Sequence, residues 1–163
     1  MLDAADVYHT GFVVPDIEQA MAELTAVFGM AWTGVEEREM PIVTPEGSRV
    51  VSLRFVYSRG SAPLVELLEP VPGTAWEVPG NSFGGGAAHH IGVWAPDFEA
   101  TSEKLVAAGF PRLLTFDDGS GRPVRFAYHR LTSGALIELI DASRRGELEA
   151  WFQGAGYPAA PAD

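Results

Sequence analysis

Two stretches of the chain repeat one pattern of apolar and polar positions. Residues 8–16 read Tyr-His-Thr-Gly-Phe-Val-Val-Pro-Asp, and residues 89–97 read His-His-Ile-Gly-Val-Trp-Ala-Pro-Asp. In each copy the apolar run after the histidine predicts a short strand, and Pro-Asp ends that strand. Repetition at a fixed offset is the sequence signature of a duplicated structural unit.

An amphipathic segment follows each of these strands. Asp16 and Asp97 are good N-cap residues, because a carboxylate oxygen accepts hydrogen bonds from the free N–H groups of a first helical turn. We therefore predict a helix that begins at the next residue in each copy. Gly29 and Gly109 follow the last apolar positions of the two segments, where a glycine commonly ends a helix.

Pieces rich in β-forming residues follow both helices, so each half of the chain reads β-α-β-β-β. The predicted strands are 32–40, 49–58 and 63–69 in the first half, and 111–117, 123–131 and 134–141 in the second. The fold class is therefore α+β, with two tandem modules. The predicted divisions are a first module over 1–69, a linker over 70–88, a second module over 89–142, and a C-terminal helix with a loose tail over 143–163.

Composition limits the partners of this chain. Its 163 residues suffice for one domain or two small ones, and 22 acidic against 11 basic residues give a formal charge of −11. So acidic a surface repels phosphate backbones and anionic bilayers, and we predict neither nucleic acid nor membrane partners. Seven of the basic residues lie in residues 81–163, so a local anion pocket can lie in that half.

The chain contains no cysteine, which excludes disulfides, thiolate nucleophiles and iron–sulfur clusters. Any metal must be held by His, Asp or Glu. The first residues are acidic and no apolar stretch reaches about 18 residues, so neither a signal peptide nor a transmembrane helix is predicted. The simplest expectation is a cytoplasmic protein.

Four polar residues stand out in the repeated strands. Glu66 and Glu138 lie in the middle of apolar strands, where an ionised carboxylate costs several kcal/mol unless it is paired or coordinated. Strand alternation places each of them on one face with apolar neighbours two positions away. His9 and His90 occupy equivalent points of the two copies. If the copies pack about a pseudo-twofold axis, these side chains converge on a His₂Glu₂ site.

Such a site suits one divalent metal ion. Nitrogen and oxygen ligands without sulfur fit Zn, Ni, Co, Fe or Mn, with positions left open for water or substrate. Gly11 and Gly92, two residues after each histidine, would keep room beside the ion. On the opposite faces of the same strands, Tyr8 and His89 are expected to pack towards the helices.

Four further residues are candidates for substrate binding. Trp94 shares a strand face with His90 and is expected either to wall the pocket or to pack in the core. Arg54 and Arg125, at equivalent points of the repeat, could receive an anionic substrate group, with a solvated rim as the alternative. His129 is assigned either to the pocket wall or to the surface.

The repeated pattern of His-x-Gly in a strand, a Pro-Asp-capped helix and a Glu in the fourth strand resembles the vicinal oxygen chelate superfamily. That superfamily includes glyoxalase I, methylmalonyl-CoA epimerase, extradiol dioxygenases and bleomycin-resistance proteins. The resemblance covers about residues 6–141 and implies that the modules form an incomplete mixed β-barrel around a metal site, usually within a homodimer. His9, Glu66, His90 and Glu138 match the ligand positions of bacterial glyoxalase I.

Departures from the patterns of these relatives narrow the function. Val13 stands where those glyoxalases often have an arginine, which argues against glutathione-thioester chemistry. Methylmalonyl-CoA epimerases share the histidine pair at residues 89–90 but commonly carry Gln in place of Glu66. They also use an acid early in the third strand, where the nearest carboxylate here is Glu46, so a two-base racemase is not supported.

The resulting prediction is a metal-dependent, glyoxalase- or epimerase-like enzyme, an isomerase or lyase that acts on a small carbonyl or acyl substrate through a metal-stabilised enolate. A Lewis acid stabilises developing oxyanion charge by several kcal/mol. A carboxylate that detaches from the metal would act as the base, with Glu138 preferred and Glu66 second. The alternatives are a bleomycin-resistance-type protein that binds an antibiotic or aromatic molecule, and an Fe(II) ring-cleaving dioxygenase.

Overall fold

The computed structural model describes residues 2–77 and 87–158. Eight strands form one ring in the order β1-β4-β3-β2-β6-β7-β8-β5. They are β1 (Val7–Val13), β2 (Glu36–Thr44), β3 (Gly47–Tyr57), β4 (Leu64–Leu68), β5 (Ala87–Ala95), β6 (Arg112–Phe116), β7 (Val124–Arg130) and β8 (Leu136–Asp141). The predicted fold class, two β-α-β-β-β modules in one barrel-like sheet, is confirmed.

The two modules meet along two unequal seams. β1 and β5 pair antiparallel over most of their length, from Val7↔Val93 to Val13↔Ala87. β2 and β6 pair only through Ile42↔Phe116 and Val43↔Thr115. Within each module the first strand pairs parallel with the last, β1 with β4 and β5 with β8. The ring is therefore closed, and the long seam brings the first strands of both modules side by side.

The helices are α1 (Ile17–Phe28), α2 (Phe98–Ala107) and α3 (Arg145–Phe152). Both predicted helix starts are confirmed. The Asp16 carboxylate accepts the backbone N–H of Gln19 at 2.8 Å, and Gly29 ends α1 in the left-handed conformation at φ 68°. Asp97 stands at the N-cap of α2 but accepts no capping hydrogen bond from a described residue, because its backbone φ/ψ of −105°/65° departs from the extended cap geometry seen at Asp16.

α1 and α2 cover the outside of the ring. Ile17 is fully buried against Val56 and Leu67 of the first module. Phe98 packs in the same way against Ala127 and Leu139 of the second. Since side chains alternate along a strand, the residues on either side of these positions point into the barrel and form a second, larger core there.

α3 lies at one mouth of the barrel and belongs to that inner core. Its apolar residues Leu148, Trp151 and Phe152 are buried against Phe55 and Tyr57 from inside the ring. The predicted amphipathic C-terminal helix is therefore present, and it docks on its own barrel. None of the helices formed by residues 2–77 and 87–158 has the length and apolarity that crossing a membrane requires.

One predicted strand is displaced along the sequence. The piece expected at 32–40 is instead β2, Glu36–Thr44, and Trp32 makes only an isolated bridge to Ser58. β2 continues through Pro41, whereas the predicted strand ended one residue before this proline. Proline is tolerated there because the β2–β6 ladder ends at Ile42↔Phe116. On that side position 41 only accepts, through its carbonyl oxygen, the backbone N–H of Asp117 at 2.9 Å.

Candidate metal centre

Four side chains from the two modules meet inside the barrel. His9, Glu66, His90 and Glu138 are all buried and offer one ligand atom each, all within 4.8 Å of one another. Nε2 of His9 lies 2.9 Å from Nε2 of His90 and 3.2 Å from Oε2 of both glutamates. Nε2 of His90 lies 3.0 Å from Oε2 of Glu66 and 3.3 Å from Oε2 of Glu138. The sequence therefore anticipated which residues converge.

Strand register creates this convergence. In β1, Gly11 is the partner of Glu66 on one side and of His90 on the other. In β5, Gly92 stands in the same way between Glu138 and His9. A Cβ atom on either glycine would overlap the facing imidazole, so each glycine makes room for the histidine of the other module.

The cluster is strongly coupled electrostatically. Burial alone would raise the pKa of Glu66, but the adjacent imidazoles of His9 and His90 lower it to about 2. Burial alone would lower the pKa of His90, but Glu138 and Glu66 raise it to about 9. At His9, burial acts to lower the pKa, but Glu138 and Glu66 raise it above its ordinary value. At Glu138, burial and the neighbouring Glu66 act to raise the pKa, but the two imidazoles lower it below its ordinary value. Both carboxylates are therefore ionised at neutral pH.

The donor set fits a divalent ion. Atoms about 2.0–2.2 Å from one ion lie roughly 2.9–3.5 Å from each other, and the four nitrogen–oxygen separations of 3.0–3.3 Å agree with that spacing. Oε2 of Glu66 and Oε2 of Glu138 are buried without a hydrogen bond of normal geometry to any described residue. Without a metal ion, these two ionised oxygens are offset only by protonation of the neighbouring imidazoles, and a divalent cation would replace that positive charge.

The two histidines differ in what supports them. Nδ1 of His90 lies 2.9 Å from Nδ1 of His89, whose Nε2 lies 2.6 Å from the carbonyl oxygen of Ala75. Nδ1 of His9 has no hydrogen-bond partner among the described residues. Since the second nitrogen of a ligating imidazole usually has a partner that fixes its orientation, His90 is the better supported ligand.

The expected orientation of Tyr8 and His89 towards the helices is wrong. The β1–β5 ladder slips by one residue between Val7 and His9 and again between Gly11 and Phe12, which leaves Tyr8 and His89 as the extra residues of two bulges. Tyr8 consequently packs inside the barrel, edge-on to His9 at 4.4 Å between ring centroids. Simple alternation cannot reveal a bulge.

A small cavity of about 60 Å³ lies against the glutamates, beneath α3. Aromatic side chains dominate its wall: Tyr8, Phe55, Tyr57, Trp76, Phe126, Tyr128, Trp151, Phe152 and Tyr157. Trp76 comes from the predicted linker, of which residues 78–86 lie outside the described chain. Its indole Nε1 is buried near Tyr128 and makes no hydrogen bond of normal geometry with a described residue.

The predicted substrate-binding residues fall in different places. Trp94 lies on the inner face, as its spacing predicts, and stacks on Tyr8 with ring centroids 4.0 Å apart. His129 is buried outside the ring, where Nε2 lies 2.8 Å from the Ser102 hydroxyl and Nδ1 lies 3.0 Å from the Phe110 carbonyl oxygen. The structure therefore does not bring His129 to the cluster.

The two repeat-related arginines also diverge. Arg54 lies on the outer face and donates to Glu18 and Glu69 at 2.6 Å each, which ties α1 to the barrel. Arg125 lies at the barrel mouth beside Arg144, a residue that sequence reasoning did not single out. Arg144 has no counterpart in the repeat, so no repeat signal could have identified it.

Comparison with known proteins agrees with the fold. The family model described as the Glyoxalase/Bleomycin resistance protein/Dioxygenase superfamily matches residues 8–128. This chain belongs to that superfamily. Among characterised proteins, it is 30% identical over 152 residues to a 2-epi-5-epi-valiolone epimerase from Actinomyces sp, a match that covers 85% of this chain and 80% of the relative.

Solved structures show the same fold at low sequence identity. The crystal structure of methylmalonyl-CoA epimerase from Mycobacterium tuberculosis has a TM-score of 0.56 and 19% identity, and the match covers 86% of this chain and 92% of that chain. A Streptomyces coelicolor methylmalonyl-CoA epimerase variant in complex with 2-nitronate-propionyl-CoA has a TM-score of 0.56 and 20% identity, with 86% and 98% covered.

Proposed function

We propose that this chain is a metal-dependent epimerase that inverts a carbon atom next to the carbonyl group of a small, oxygen-rich substrate. The observation that carries the proposal is the buried His₂Glu₂ cluster, in which two ionised carboxylate oxygens lack hydrogen bonds of normal geometry. His9, Glu66, His90 and Glu138 would hold the ion. When bound, a divalent ion supplies Lewis-acid stabilisation of the negative charge that develops on a carbonyl oxygen.

The two carboxylates supply the proton chemistry. Inversion requires that a proton leave one face of a carbon atom and that a proton reach the opposite face. Glu138 and Glu66 come from opposite modules and border the same cavity, so they can approach a bound substrate from different sides. In this proposal, which unlike the sequence prediction uses two bases, a carboxylate oxygen of Glu138 takes the proton from one face of the carbon atom. Glu66 first takes up a proton from solvent and then delivers it to the opposite face. Their low pKa values keep both in the base form before substrate binds.

The cavity wall contributes orientation and exclusion of water. Trp76 lines the cavity, and in this proposal its buried indole N–H, which makes no hydrogen bond of normal geometry with a described residue, donates to a substrate oxygen. A satisfied hydrogen bond there would remove the cost of a buried donor without a partner, about 1–3 kcal/mol. The surrounding aromatic rings lower the local dielectric constant, which strengthens each electrostatic interaction with the substrate.

The shape of the barrel mouth favours a compact substrate. α3 fills the mouth with Trp151 and Phe152, and the space left beside the glutamates is about 60 Å³. An acyl-CoA would need an opening that stays clear for its long carrier arm. A cyclic hydroxyketone needs only a temporary displacement of α3 to enter, and the helix can then enclose it. Of the two relatives, the valiolone epimerase is therefore the better guide to the substrate.

Metal analysis combined with solvent exchange tests this proposal. The protein is loaded with Co²⁺ or Zn²⁺ and incubated in D₂O with 2-epi-5-epi-valiolone or with methylmalonyl-CoA, and NMR follows the proton next to the carbonyl group. We expect one ion per chain and loss of that proton signal with the cyclitol ketone, and neither in His9→Gln. His129→Gln is the matched control, because it removes a buried imidazole outside the cluster.

The same samples separate the alternatives. A protein that only sequesters a small molecule would bind it without exchange, and an Fe(II) dioxygenase would consume oxygen when a catechol is added. Absence of both bound metal and exchange would overturn the proposal. The homodimer stays a prediction, and light scattering on the purified chain measures it directly.

A further inference from the structure

Two half-buried arginines stand together at the barrel mouth. Arg125 and Arg144 line one surface pocket with Phe116 and Tyr157, and Arg144 also lines the inner cavity with Glu66 and Glu138. Arg144 directly precedes α3 in the chain. Arg144 therefore lies between the surface pocket and the inner cavity, and Arg125 lies beside it in the surface pocket.

An irregular backbone places Arg125 at this mouth. It is the one non-glycine among the described residues with positive φ, at 63°, and it lies where the β6–β7 ladder slips between Thr115 and Phe116. Its guanidinium lies over the ring of Phe116, 4.1 Å from the centroid. Backbone strain of this kind persists only where surrounding structure holds it.

These arginines differ from the other half-buried arginines in their partners. Arg54 pairs with Glu18 and Glu69, and Arg112 pairs with Glu103. Arg125 and Arg144 make no ion pair with any described residue, although the chain carries twice as many acidic as basic residues.

Repulsion between the two guanidinium groups is only partly offset, because no described carboxylate lies within ion-pair distance of them and the carboxylate that acts on Arg125, that of Asp118, is exposed. Burial and the neighbouring Arg144 lower the pKa of Arg125, which agrees with two like charges held close together. The carboxylates that line the same pocket, Glu37 and Glu39, are exposed on its rim and lie beyond ion-pair distance. An anion bound between the guanidinium groups would satisfy both.

We propose that Arg125 and Arg144 form a subsite for an oxyanion group of the substrate, a phosphate or a carboxylate, whose carbonyl end lies at the four-residue cluster. The anion subsite does not depend on the proposed function, whereas the position of the carbonyl end at the cluster rests on it. The inference deepens the substrate class from a small hydroxyketone to one that carries an anionic group at its outer end.

Anion binding to the metal-free protein tests the subsite separately from the metal chemistry. Inorganic phosphate and malonate are titrated by calorimetry at constant ionic strength, with sodium chloride as the ionic control. We expect saturable binding of at least one of them to the wild-type chain, weaker by about tenfold or more in Arg125→Gln and in Arg144→Gln, because each loses a charged hydrogen-bond donor. The stronger of the two anions identifies the chemistry of the group.

Arg145→Gln is the matched control, since Arg145 is adjacent in sequence but is exposed and paired with Glu149. It should bind the anion as the wild type does. Arg144→Lys keeps the positive charge and should bind with intermediate affinity, and circular dichroism verifies that each variant is folded. Absence of saturable anion binding, or equal binding by the wild type, Arg125→Gln and Arg144→Gln, would overturn the inference. Neither result depends on metal or turnover, so the proposed epimerase would be judged independently.

Discussion

His9 and Gly92 face each other across the seam between β1 and β5, and a Cβ on Gly92 would overlap Cε1 of the imidazole. Gly11 stands in the same relation to His90. Each module therefore supplies a histidine together with the space for the histidine of the other module. The His-x-Gly pattern that repeats along the chain is thus one reciprocal packing arrangement.

Gly92→Ala is expected to displace His9 and to weaken metal binding. The added methyl group cannot be accommodated without moving the imidazole or the strand, and overpacking of this kind costs about 1–3 kcal/mol of folding stability. We predict metal affinity at least about tenfold lower, measured by competition with a chelator, because ligation needs accurate geometry. Gly34→Ala is the control, since a Cβ there meets open space. Unchanged affinity in Gly92→Ala would contradict the packing argument.

Trp76→Phe separates the role of a hydrogen-bond donor from that of a packing residue. Because the indole N–H has no partner of normal geometry among the described residues, the loss of stability should come from the cavity that the smaller ring leaves, roughly 1–3 kcal/mol of unfolding free energy. Turnover should fall by roughly tenfold because a substrate oxygen loses its donor. In Trp32→Phe, which removes an N–H bonded to Thr25 on the outer surface, turnover should not change. Equal turnover in both variants would show that Trp76 only packs.

Stability should fall in acid through His129. Burial and the nearby Arg112 lower the pKa of His129 below its ordinary value of 6.5, while the Phe110 carbonyl acts in the opposite direction. The unfolded chain therefore binds the proton first as pH falls through 6.5, and the neutral imidazole contributes stability above that pH which acid removes. In His129→Gln, whose amide can replace both hydrogen bonds, this contribution should vanish. Thermal unfolding measured from about pH 7.5 down to 5 should show the wild type losing its advantage in melting temperature over His129→Gln as pH falls. Melting temperatures that change in parallel with pH would contradict this role of His129.

Metal affinity should rise with pH. Burial opposes protonation of His90, but Glu138 and Glu66 raise its pKa to about 9, so the metal-free protein carries at neutral pH a proton that a metal ion must displace. We expect release of about one or more protons per Zn²⁺ near pH 7, counted by calorimetry in buffers of different ionisation enthalpy. Binding without proton release would show that the imidazole is already neutral.

The sequence anticipated the parts of the fold that depend on local pattern. The helix starts after Asp16 and Asp97 were predicted from capping chemistry, although only Asp16 makes the capping hydrogen bond. The convergence of Glu66 and Glu138 followed from the repeat together with the cost of burying a lone carboxylate. The sequence also predicted that Gly92 leaves room inside the barrel. That room was predicted to lie beside the metal ion, and the structure places the imidazole of His9 there.

Other features depend on long-range register and could not be read from local pattern. Arg54 and Arg125 occupy equivalent points of the repeat, yet one lies in an ion-pair network on the outer face and the other is turned to the mouth by a bulge. Bulges also carry Tyr8 and His89 to the inside. A bulge arises from the mismatch between two paired strands, so neither strand shows it alone.

The most direct measurement is anomalous scattering from a crystal of the protein loaded with Co²⁺. A single peak within coordination distance of Nε2 of His9 and His90 and of a carboxylate oxygen of Glu66 and Glu138 is the expected result, about 2.0–2.2 Å from each atom. A map with no peak between these four side chains, or with the ion bound elsewhere, would contradict the metal-dependent function.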